Sequence, residues 1–488
     1  MKDSSKINVL YVASEAAPLI KVGGLGDVAG SLPKALRKLL PSQINGSSID
    51  VRLAIPFHSK INQKLDNLQL IASYFVNHPT GQIQARAFHT TVDDVPVYLI
   101  EGSSILTDPN VYTNNTLADA RKYIFFSLAA IELTKQINWN IDILHANDWH
   151  TALSVYEMKL RRTQDPFFLN TKSVLSMHNL PYMGSGADSA VQEFGFSECD
   201  CINLPDWGRH IPLPIGMSAA DQLLTVSPSY AKEILTPEYG CGLQDFLESR
   251  SDTVSGILNG IDEQTWDPST DATIHFNFNQ NKFENRIKNK IALQTEFGLD
   301  RNENTPLIIL ISRMDQQKGI DIAINGLRLV MDLSLQVIFL GTGDPFIETS
   351  CRSLEAEFPE KVRAALRFDL NLSRRMYAGG DILLIPSRYE PCGLTQMIAM
   401  RYGCVPLARA TGGLKDTVVD IPENESNNGF LFTEASAESF AQVMKRAIKT
   451  FHLKDEWKKL QINGMNTDFS WEKSAIEYAK IYTKLKGE

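Results

Sequence analysis

Two cations lie close together in the stretch "ISRMDQQKG", residues 311–319: Arg313 and Lys318. An apolar run precedes them and a helical pattern follows, so we expect both side chains near the carboxyl end of a strand. Two positive charges at such a point suit a diphosphate, whose charge must be compensated in a dry cleft. The alternative is a pair of solvated surface cations, and the position at a strand end favours the ligand.

A carboxylate with a different use follows in "PSRYEPCGLTQ", residues 386–396. Glu390 comes after the buried strand pattern "DILLIP" and just before a helix start. A carboxylate there can accept hydrogen bonds from vicinal sugar hydroxyls, and the alternative is a charge that only stabilises the helix start. The glycine loop in "ATGGLKDTV", residues 410–418, again leads toward a helix, and its N–H groups could hold phosphate.

Another glycine loop, "KVGGLGDVAG" at residues 21–30, joins an apolar strand to an amphipathic helix. It contains G-x-G-x-x-A, but roughly ten residues separate the strand from Gly24, too many for a dinucleotide-binding turn. It lacks the G-K-[ST] of a Walker A loop. Lys21 beside exposed backbone N–H groups favours an anion, and a flexible loop with a solvated lysine is the alternative. Taken together, the glycine loops, cations and carboxylate describe a site for a nucleotide-diphosphate sugar.

Two further strand ends carry polar residues, in "HANDWH" (145–150) and "SMHNLPY" (176–182). His178 could hydrogen-bond a ligand or polarise a leaving group, although a lone histidine is more often structural. Asp148 could serve a site or merely cap the following helix, with Trp149 packed under the sheet. The first motif lacks the H-E-x-x-H pattern of metalloproteases.

The elements that position these residues alternate between strand and helix patterns along the chain. Strand patterns at 7–13, 50–56, 141–148 and 172–179 are interleaved with helical ones, and period-2 alternation at 83–100 around Asp93–Asp94 predicts a hairpin. A second series begins at 305. Such alternation predicts α/β domains with parallel sheets, here two doubly wound domains with a cleft between them. The polar, aperiodic stretch 267–290 is the candidate linker.

Composition excludes several function classes. The net charge is −9, which argues against a nucleic-acid-binding face. The sequence contains no run of 18 apolar residues, so we predict no membrane-spanning segment. Six cysteines are too few for a disulfide scaffold, and the C-x-C of Cys199 and Cys201 lacks a partner pair for zinc. No signal peptide is recognisable, so we expect a cytoplasmic protein. The oligomeric state stays open.

These motifs together resemble the bacterial glycogen synthases and plant starch synthases, glycosyltransferase family 5. The resemblance rests on "KVGGLGDV", "HANDWH", "MHNLPY", "TVSPSYAKEI", "GILNGID", "SRMDQQKG", "YAGGDILLIPSRYEPCGLTQMIAMRYG" and "TGGLKDTV", in order and over nearly the whole chain. It implies a GT-B fold: two Rossmann-like domains (1–266 on the acceptor side, 291–469 for the donor) and a final helix, 470–488, crossing back to the first. It implies transfer of glucose from ADP-glucose to the non-reducing end of an α-1,4-glucan or maltooligosaccharide, with retention and without metal or other cofactor.

The resemblance also assigns residues to roles. Those matching catalytic positions are Lys21, His178, Arg313, Lys318 and Glu390. Those matching donor-binding positions are Gly23, Gly24, Asn179, Phe368, Leu394, Thr395, Thr411, Gly412 and Gly413, while Asp27 and Asp148 match the sugar side. No nucleophile is expected, because the implied reaction occurs on one face of the sugar and Glu390 only orients it.

Some positions depart from the family pattern. Phe368 stands where a tyrosine usually stacks on adenine, and it keeps the ring while losing a hydroxyl. Pro214 stands where a lysine is usual, and "IPFHSK" at 55–60 lacks the aromatic residue that the family usually has there. These departures leave open a UDP-glucose-dependent enzyme or another glucoside as product. A non-catalytic glucan-binding protein is the third hypothesis, disfavoured because all five residues at the catalytic positions are present.

Overall fold

The computed structural model describes residues 6–61, 65, 67–106, 110–421 and 425–487, and the chain divides into two compact units. Unit 1 comprises Met1–Gly260 and Trp471–Glu488, and unit 2 comprises Ile261–Ser470. The first predicted domain begins at residue 1 and the predicted final helix ends at residue 488; residues 1–5 and 488 lie outside the described residues. No helix in the described ranges is both long and apolar enough to be a membrane-spanning segment.

Within the part of the chain that the structure describes, unit 1 is built on a nine-stranded sheet. Its strands are β1 Lys6–Val12, β2 Ser48–Pro56, β3 Gln69–His78, β4 Gly81–Val92, β5 Val95–Glu101, β6 Ile143–Asn147, β7 Lys172–Met177, β8 Gln222–Thr225 and β9 Val254–Gly256. Its first helices are α1 Gly24–Lys38, α2 Ser103–Leu106, α3 Thr116–Gln136, α4 Asp148–Gln164, α5 Asp188–Glu193, α6 Pro212–Ala219, α7 Pro228–Glu233 and α8 Gln244–Glu248. The strand order is β3-β4-β5-β2-β1-β6-β7-β8-β9.

The sheet of unit 1 is parallel from β5 to β9, and β3 and β4 add an antiparallel edge. The predicted hairpin at 83–100 is confirmed as β4 and β5. Asp93 and Asp94 both have positive φ, +48° and +66°, as a two-residue turn that matches strand twist requires. The strand order reverses between β1 and β6, which is where doubly wound sheets bind ligands at the carboxyl ends of their strands.

Unit 2 holds a six-stranded, all-parallel sheet in the order β12-β11-β10-β13-β14-β15. Its strands are β10 Leu307–Ile311, β11 Gln336–Leu340, β12 Val362–Ala365, β13 Ile382–Ile385, β14 Val405–Arg409 and β15 Phe430–Phe432. Its helices are α9 Asn285–Glu296, α10 Ile320–Arg328, α11 Pro345–Glu357, α12 Leu370–Gly379, α13 Thr395–Arg401, α14 Gly412–Thr417, α15 Ala437–His452 and α16 Lys454–Asn466. The order reverses between β10 and β13, the strands that precede Arg313 and Glu390.

The final helix, α17 Trp471–Gly487, belongs to unit 1. Its apolar face, including Tyr478 and Tyr482, is buried in the same core as β1 and α1. The Tyr482 hydroxyl lies 2.6 Å from His145 Nδ1 in β6, so a buried hydrogen bond fixes the helix on the sheet. The predicted return of the last helix to the first domain is therefore present.

The stretch 267–290 differs from its prediction as a linker, because it lies within unit 2. Phe278 is buried, and the Asp271 carboxylate accepts hydrogen bonds from Arg374 (2.9 Å) and the Tyr402 hydroxyl (2.6 Å). Arg286, at the start of α9, is buried and donates to the Tyr402 carbonyl. The polar residues of this stretch hold it onto unit 2, which begins at Ile261, a few residues before the predicted boundary.

Candidate active site

The loop that follows β1 is organised by a buried carboxylate, Glu15. Its oxygens accept hydrogen bonds from the backbone N–H groups of Val22 and Gly23 and from the Tyr112 hydroxyl at 3.0 Å. Burial raises the pKa of Glu15, and these hydrogen bonds act in the opposite direction. Sequence reasoning missed Glu15, although it is what fixes the loop that carries Lys21.

Lys21 and Asp27 form an ion pair at the start of α1, with Nζ 2.7 Å from Oδ1 and both side chains partly exposed. The N-cap residue, Gly23, has no side chain to bond the first N–H groups of the helix. A Cβ added at Gly26 would lie 3.0 Å from the Lys21 side chain, whereas a Cβ added at Gly24 would meet nothing within 4 Å. Packing against Lys21 therefore explains why residue 26 is a glycine, whereas the space beside Gly24 is open and packing does not require a glycine there.

The carboxylate of Asp148 joins the ends of β6 and β7. The sequence left open that Asp148 only caps the following helix. The structure contradicts this, because α4 begins at Asp148 itself and its N-cap residue is Asn147. With φ at +55°, Asp148 instead accepts a hydrogen bond from the His178 backbone N–H at 2.7 Å. Burial raises the pKa of Asp148 to about 7, against the effect of the N–H groups of His178 and Asn179.

Asn147 sets the tautomer of His178. Its Nδ2 donates to the Val12 carbonyl at 3.0 Å, so its Oδ1 must accept, and it does so from the Tyr11 hydroxyl and from His178 Nε2, each at 2.9 Å. Burial lowers the pKa of His178 to about 4. The imidazole is therefore neutral at pH 7 with its proton on Nε2, which leaves Nδ1 as an acceptor.

Two neighbours of His178 complete this part of unit 1. The side-chain oxygen of Asn179 is buried and has no hydrogen-bond partner among the described residues. Trp149 packs against His150 and Tyr123, and a Cβ added at Gly184 would lie 2.7 Å from the indole. The indole is thus a packing group, as expected, while Asn179 offers an oxygen to a ligand.

In unit 2, Lys318 and Glu390 form a close ion pair. Lys318 Nζ lies 2.9 and 2.7 Å from the two carboxylate oxygens of Glu390, and the Ser387 hydroxyl donates to one of them at 2.8 Å. Only 19% and 8% of the two charged side chains are exposed. The residues come from the loops that follow β10 and β13, on either side of the reversal of strand order.

A pocket of about 140 Å³ opens at these strand ends, lined by Arg313, Lys318, Ser387, Glu390 and Thr395 among others. Arg313 is 63% exposed, and its guanidinium lies 3.2 Å from Asp315. Unit 2 thus brings together both predicted cations, the predicted carboxylate and the start of α13. Such a pocket can hold a phosphate beside groups that accept hydrogen bonds from hydroxyls.

The turn that carries Glu390 is held from two directions. The buried guanidinium of Arg409 donates to the carbonyls of Ser387 and Arg388. Gly412 has φ +45°, and a Cβ there would lie 2.0 Å from the Glu390 carbonyl oxygen, while one at Gly413 would lie 2.1 Å from the Cys392 oxygen. The second glycine loop therefore packs against the backbone at Glu390. This close packing requires glycine at 412 and 413, in addition to the predicted role of their N–H groups in holding phosphate.

The remaining predicted donor residues occupy the edges of the same face of unit 2. Leu394 is the N-cap of α13, which begins at Thr395, and no side chain of the described residues caps it. Thr411 is buried at the start of α14. Phe368 is 84% exposed between β12 and α12, so its ring is available for stacking. No cluster of metal-ligating side chains occurs in the described ranges.

Comparison with known proteins decides the family. The model of the starch synthase catalytic domain matches residues 8–249, and that of glycosyl transferases group 1 matches residues 294–462. A glycogen synthase of Clostridium perfringens is 37% identical, covering 99% of this chain and 100% of that protein. The chain belongs to the glycogen and starch synthase family. It is therefore a glycosyltransferase with a GT-B fold of two parallel-sheet α/β domains.

Other members of the glycogen and starch synthase family agree. A glycogen synthase of Kosmotoga olearia is 40% identical, over 98% of this chain and 97% of that protein. The catalytic domain of starch synthase IV from Arabidopsis thaliana, solved with ADP and acarbose bound, is 32% identical with a TM-score of 0.86, and the similarity covers 99% of this chain and 100% of that chain. The roles assigned to individual residues stay predictions.

Proposed function

We propose that this glycosyltransferase transfers glucose from ADP-glucose to the non-reducing end of an α-1,4-glucan, with retention of the anomeric configuration. The observation that carries the proposal is the pocket of unit 2, where Arg313, Lys318 and Glu390 lie together at the strand ends. The starch synthase IV relative was solved with ADP and acarbose bound, which supports a nucleoside diphosphate and a glucan-like sugar as ligands.

The cations take up the charge of the leaving group. As the bond from glucose to ADP breaks, negative charge develops on the β-phosphate, and Arg313 and Lys318 stabilise it in place. Both side chains line the same pocket, Lys318 beside Glu390 and Arg313 largely exposed. We propose that no metal or other cofactor is required, because these side chains supply the positive charge.

Glu390 orients the sugar and does not attack it. Lys318 donates to both of its oxygens and Ser387 donates to Oε2, which leaves a lone pair of Oε1 to accept from a donor such as a hydroxyl group. In unit 1, neutral His178 has only an acceptor nitrogen left, so it can accept a hydrogen bond from a hydroxyl but cannot act as a charged acid at pH 7. As the bond from the anomeric carbon to the β-phosphate oxygen breaks, the oxygen of the acceptor hydroxyl bonds to that carbon on the face that ADP leaves, and the hydroxyl proton passes to the departing phosphate.

The test is incorporation of radiolabelled glucose into glycogen from ADP-glucose and, separately, from UDP-glucose, each with and without EDTA. We expect incorporation from ADP-glucose, unaffected by EDTA, with label released as maltose by β-amylase, which removes α-1,4-linked units from non-reducing ends. Incorporation from UDP-glucose alone would contradict the donor. Label resistant to β-amylase would contradict the linkage, and glucan binding without incorporation from either donor would contradict the reaction. A cytoplasmic location stays a prediction.

A further inference from the structure

A second pocket lies in unit 1 at the amino-terminal ends of β1, β2 and β5. Its volume is about 340 Å³, more than twice that of the pocket beside Glu390, and within the range of small-molecule sites. The polar side chains that line it include Lys6, Arg37, Asp50, Arg52, His89 and Tyr98. None of these residues belongs to the predicted donor or acceptor sets.

The charges of the described residues that line this pocket do not balance. Three cations converge on one buried carboxylate: Lys6 Nζ, Arg37 Nη1 and Arg52 Nη2 lie 3.1, 2.6 and 3.1 Å from the oxygens of Asp50. Although burial acts in the opposite direction, the hydrogen bonds from these cations hold the pKa of Asp50 below its usual value, so it stays ionised. Among the described lining residues Asp50 is the only carboxylate, which leaves two positive charges uncompensated.

The two arginines are held in place before any ligand arrives. Arg52 donates to the Tyr98 hydroxyl at 2.8 Å and lies 4.0 Å above the ring of Trp139. Arg37 also donates to the Val51 carbonyl at 3.1 Å. Since each guanidinium has five N–H donors in a planar fork, both keep donors for an oxyanion, and little side-chain freedom remains to be lost on binding.

We propose that this pocket binds a small phosphorylated metabolite through its phosphate group. A phosphate dianion matches the surplus of two charges, and the planar forks of Arg37 and Arg52 match its oxygens. The pocket is distinct from the loop that carries Lys21, because the two lie at opposite ends of β1, whose seven residues span about 20 Å. The remaining volume, lined by Ser48, Pro96 and His89, accommodates the organic part of the ligand.

Binding is measured by calorimetry on the full-length protein, with ADP present so that phosphate does not compete for the proposed donor site. Inorganic phosphate and fructose 6-phosphate are the probes. Saturable binding of either is the expected result. Equal affinities identify the free ion as sufficient, whereas tighter binding of the ester shows that the rest of the pocket contributes. Absence of saturable binding of both probes overturns the proposal.

Variants locate the binding. Lys6→Gln and Arg37→Gln each remove one charge-assisted hydrogen bond, so we expect each to raise the dissociation constant about tenfold or more. Lys34→Gln is the matched control, since Lys34 lies on the same helix but pairs with Asp93 and does not line the pocket. Equal weakening by all three substitutions would show general charge attraction and refute a site. Lys6 is 46% exposed, so its variant keeps the test decisive if Arg37→Gln fails to fold.

Discussion

Removing the ammonium of Lys318 separates its contribution to stability from its contribution to catalysis. In Lys318→Met the unbranched apolar part of the side chain is kept and the ammonium is lost. Glu390 then loses the Nζ donor that lies 2.7 and 2.9 Å from its carboxylate oxygens and retains the Ser387 hydroxyl as a donor. Because the carboxylate is 8% exposed, the uncompensated charge should lower the free energy of unfolding by about 3–5 kcal/mol. If Lys318 also stabilises the departing diphosphate, kcat falls by about 10²–10³-fold.

The double variant Lys318→Met/Glu390→Gln distinguishes the two effects. With both charges removed, the buried pair no longer carries a penalty, so the double variant should be more stable than the sum of the single variants by about 0.5–3 kcal/mol. Its kcat should stay at or below that of Lys318→Met, because neither substitution restores positive charge at the pocket. Urea unfolding gives the stabilities, and initial rates with saturating ADP-glucose and glycogen give kcat.

Two results would refute this reasoning. Recovery of kcat together with stability in the double variant would mean that Lys318 serves only to neutralise Glu390. An unchanged unfolding free energy in Lys318→Met would mean that the pair is not held apart from water as the structure has it. Glu390→Gln alone is the control for loss of the sugar-orienting carboxylate, and its kcat should also fall about 10²-fold or more.

Two further predictions concern unit 1. The pKa of Asp148 is raised to about 7 in the folded protein, so the folded form binds an extra proton between the unfolded pKa and pH 7. The natural protein therefore loses stability as the pH rises through that window. Asp148→Asn has no such group to titrate, so the variant should gain stability relative to the natural protein as the pH rises from 5 to 8. Thermal unfolding of both proteins at the two pH values measures this, and parallel shifts would contradict it. Gly24→Ala should keep or slightly raise the melting temperature, because the new Cβ meets nothing within 4 Å and alanine has less freedom to lose on folding. It should raise the KM for ADP-glucose if the donor approaches that backbone, and an unchanged KM would remove Gly24 from the donor site.

The pocket of unit 2 could be anticipated because its residues follow a general rule. Arg313, Lys318 and Glu390 each come soon after a strongly apolar strand, and parallel strands end at one edge of a sheet. The supporting residues follow no such rule. Arg409 is the last residue of an otherwise apolar strand, and its contact with the Ser387 carbonyl joins positions 22 residues apart. A sequence shows the charge but not which turn it holds.

Unit 1 shows the same division between pattern and contact. Glu15 lies in a short aperiodic stretch, and its partners are backbone N–H groups seven and eight residues further on, which no side-chain pattern reveals. Asn147 left a weak signal, because an amide at the end of a buried strand needs partners, but its effect on His178 depends on the register of β6 and β7. The loop residues were predicted, and the groups that orient them were not.

The predicted linker at 267–290 failed for a related physical reason. Although Phe278 is buried, polar side chains of this stretch bond to backbone groups: Asn277 donates to the carbonyls of Pro268 and Asp271, and Asn289 donates to that of Phe276. Segments held in this way lack hydrophobic periodicity, so their composition is that of a solvated connection. Only the folded contacts distinguish the two.

The position of α17 in unit 1 sets an order for folding during synthesis. Unit 2 is continuous in sequence and is complete once Ser470 has been made, whereas unit 1 began earlier and still lacks its last helix. Until Trp471–Gly487 has been made, the apolar surface that Tyr478 and Tyr482 cover is exposed to solvent, and His145 lacks its hydrogen bond to the Tyr482 hydroxyl. Translation that stops within the last helix therefore yields a finished second unit joined to a first unit with an exposed core, which is the kind of product that aggregates or requires a chaperone.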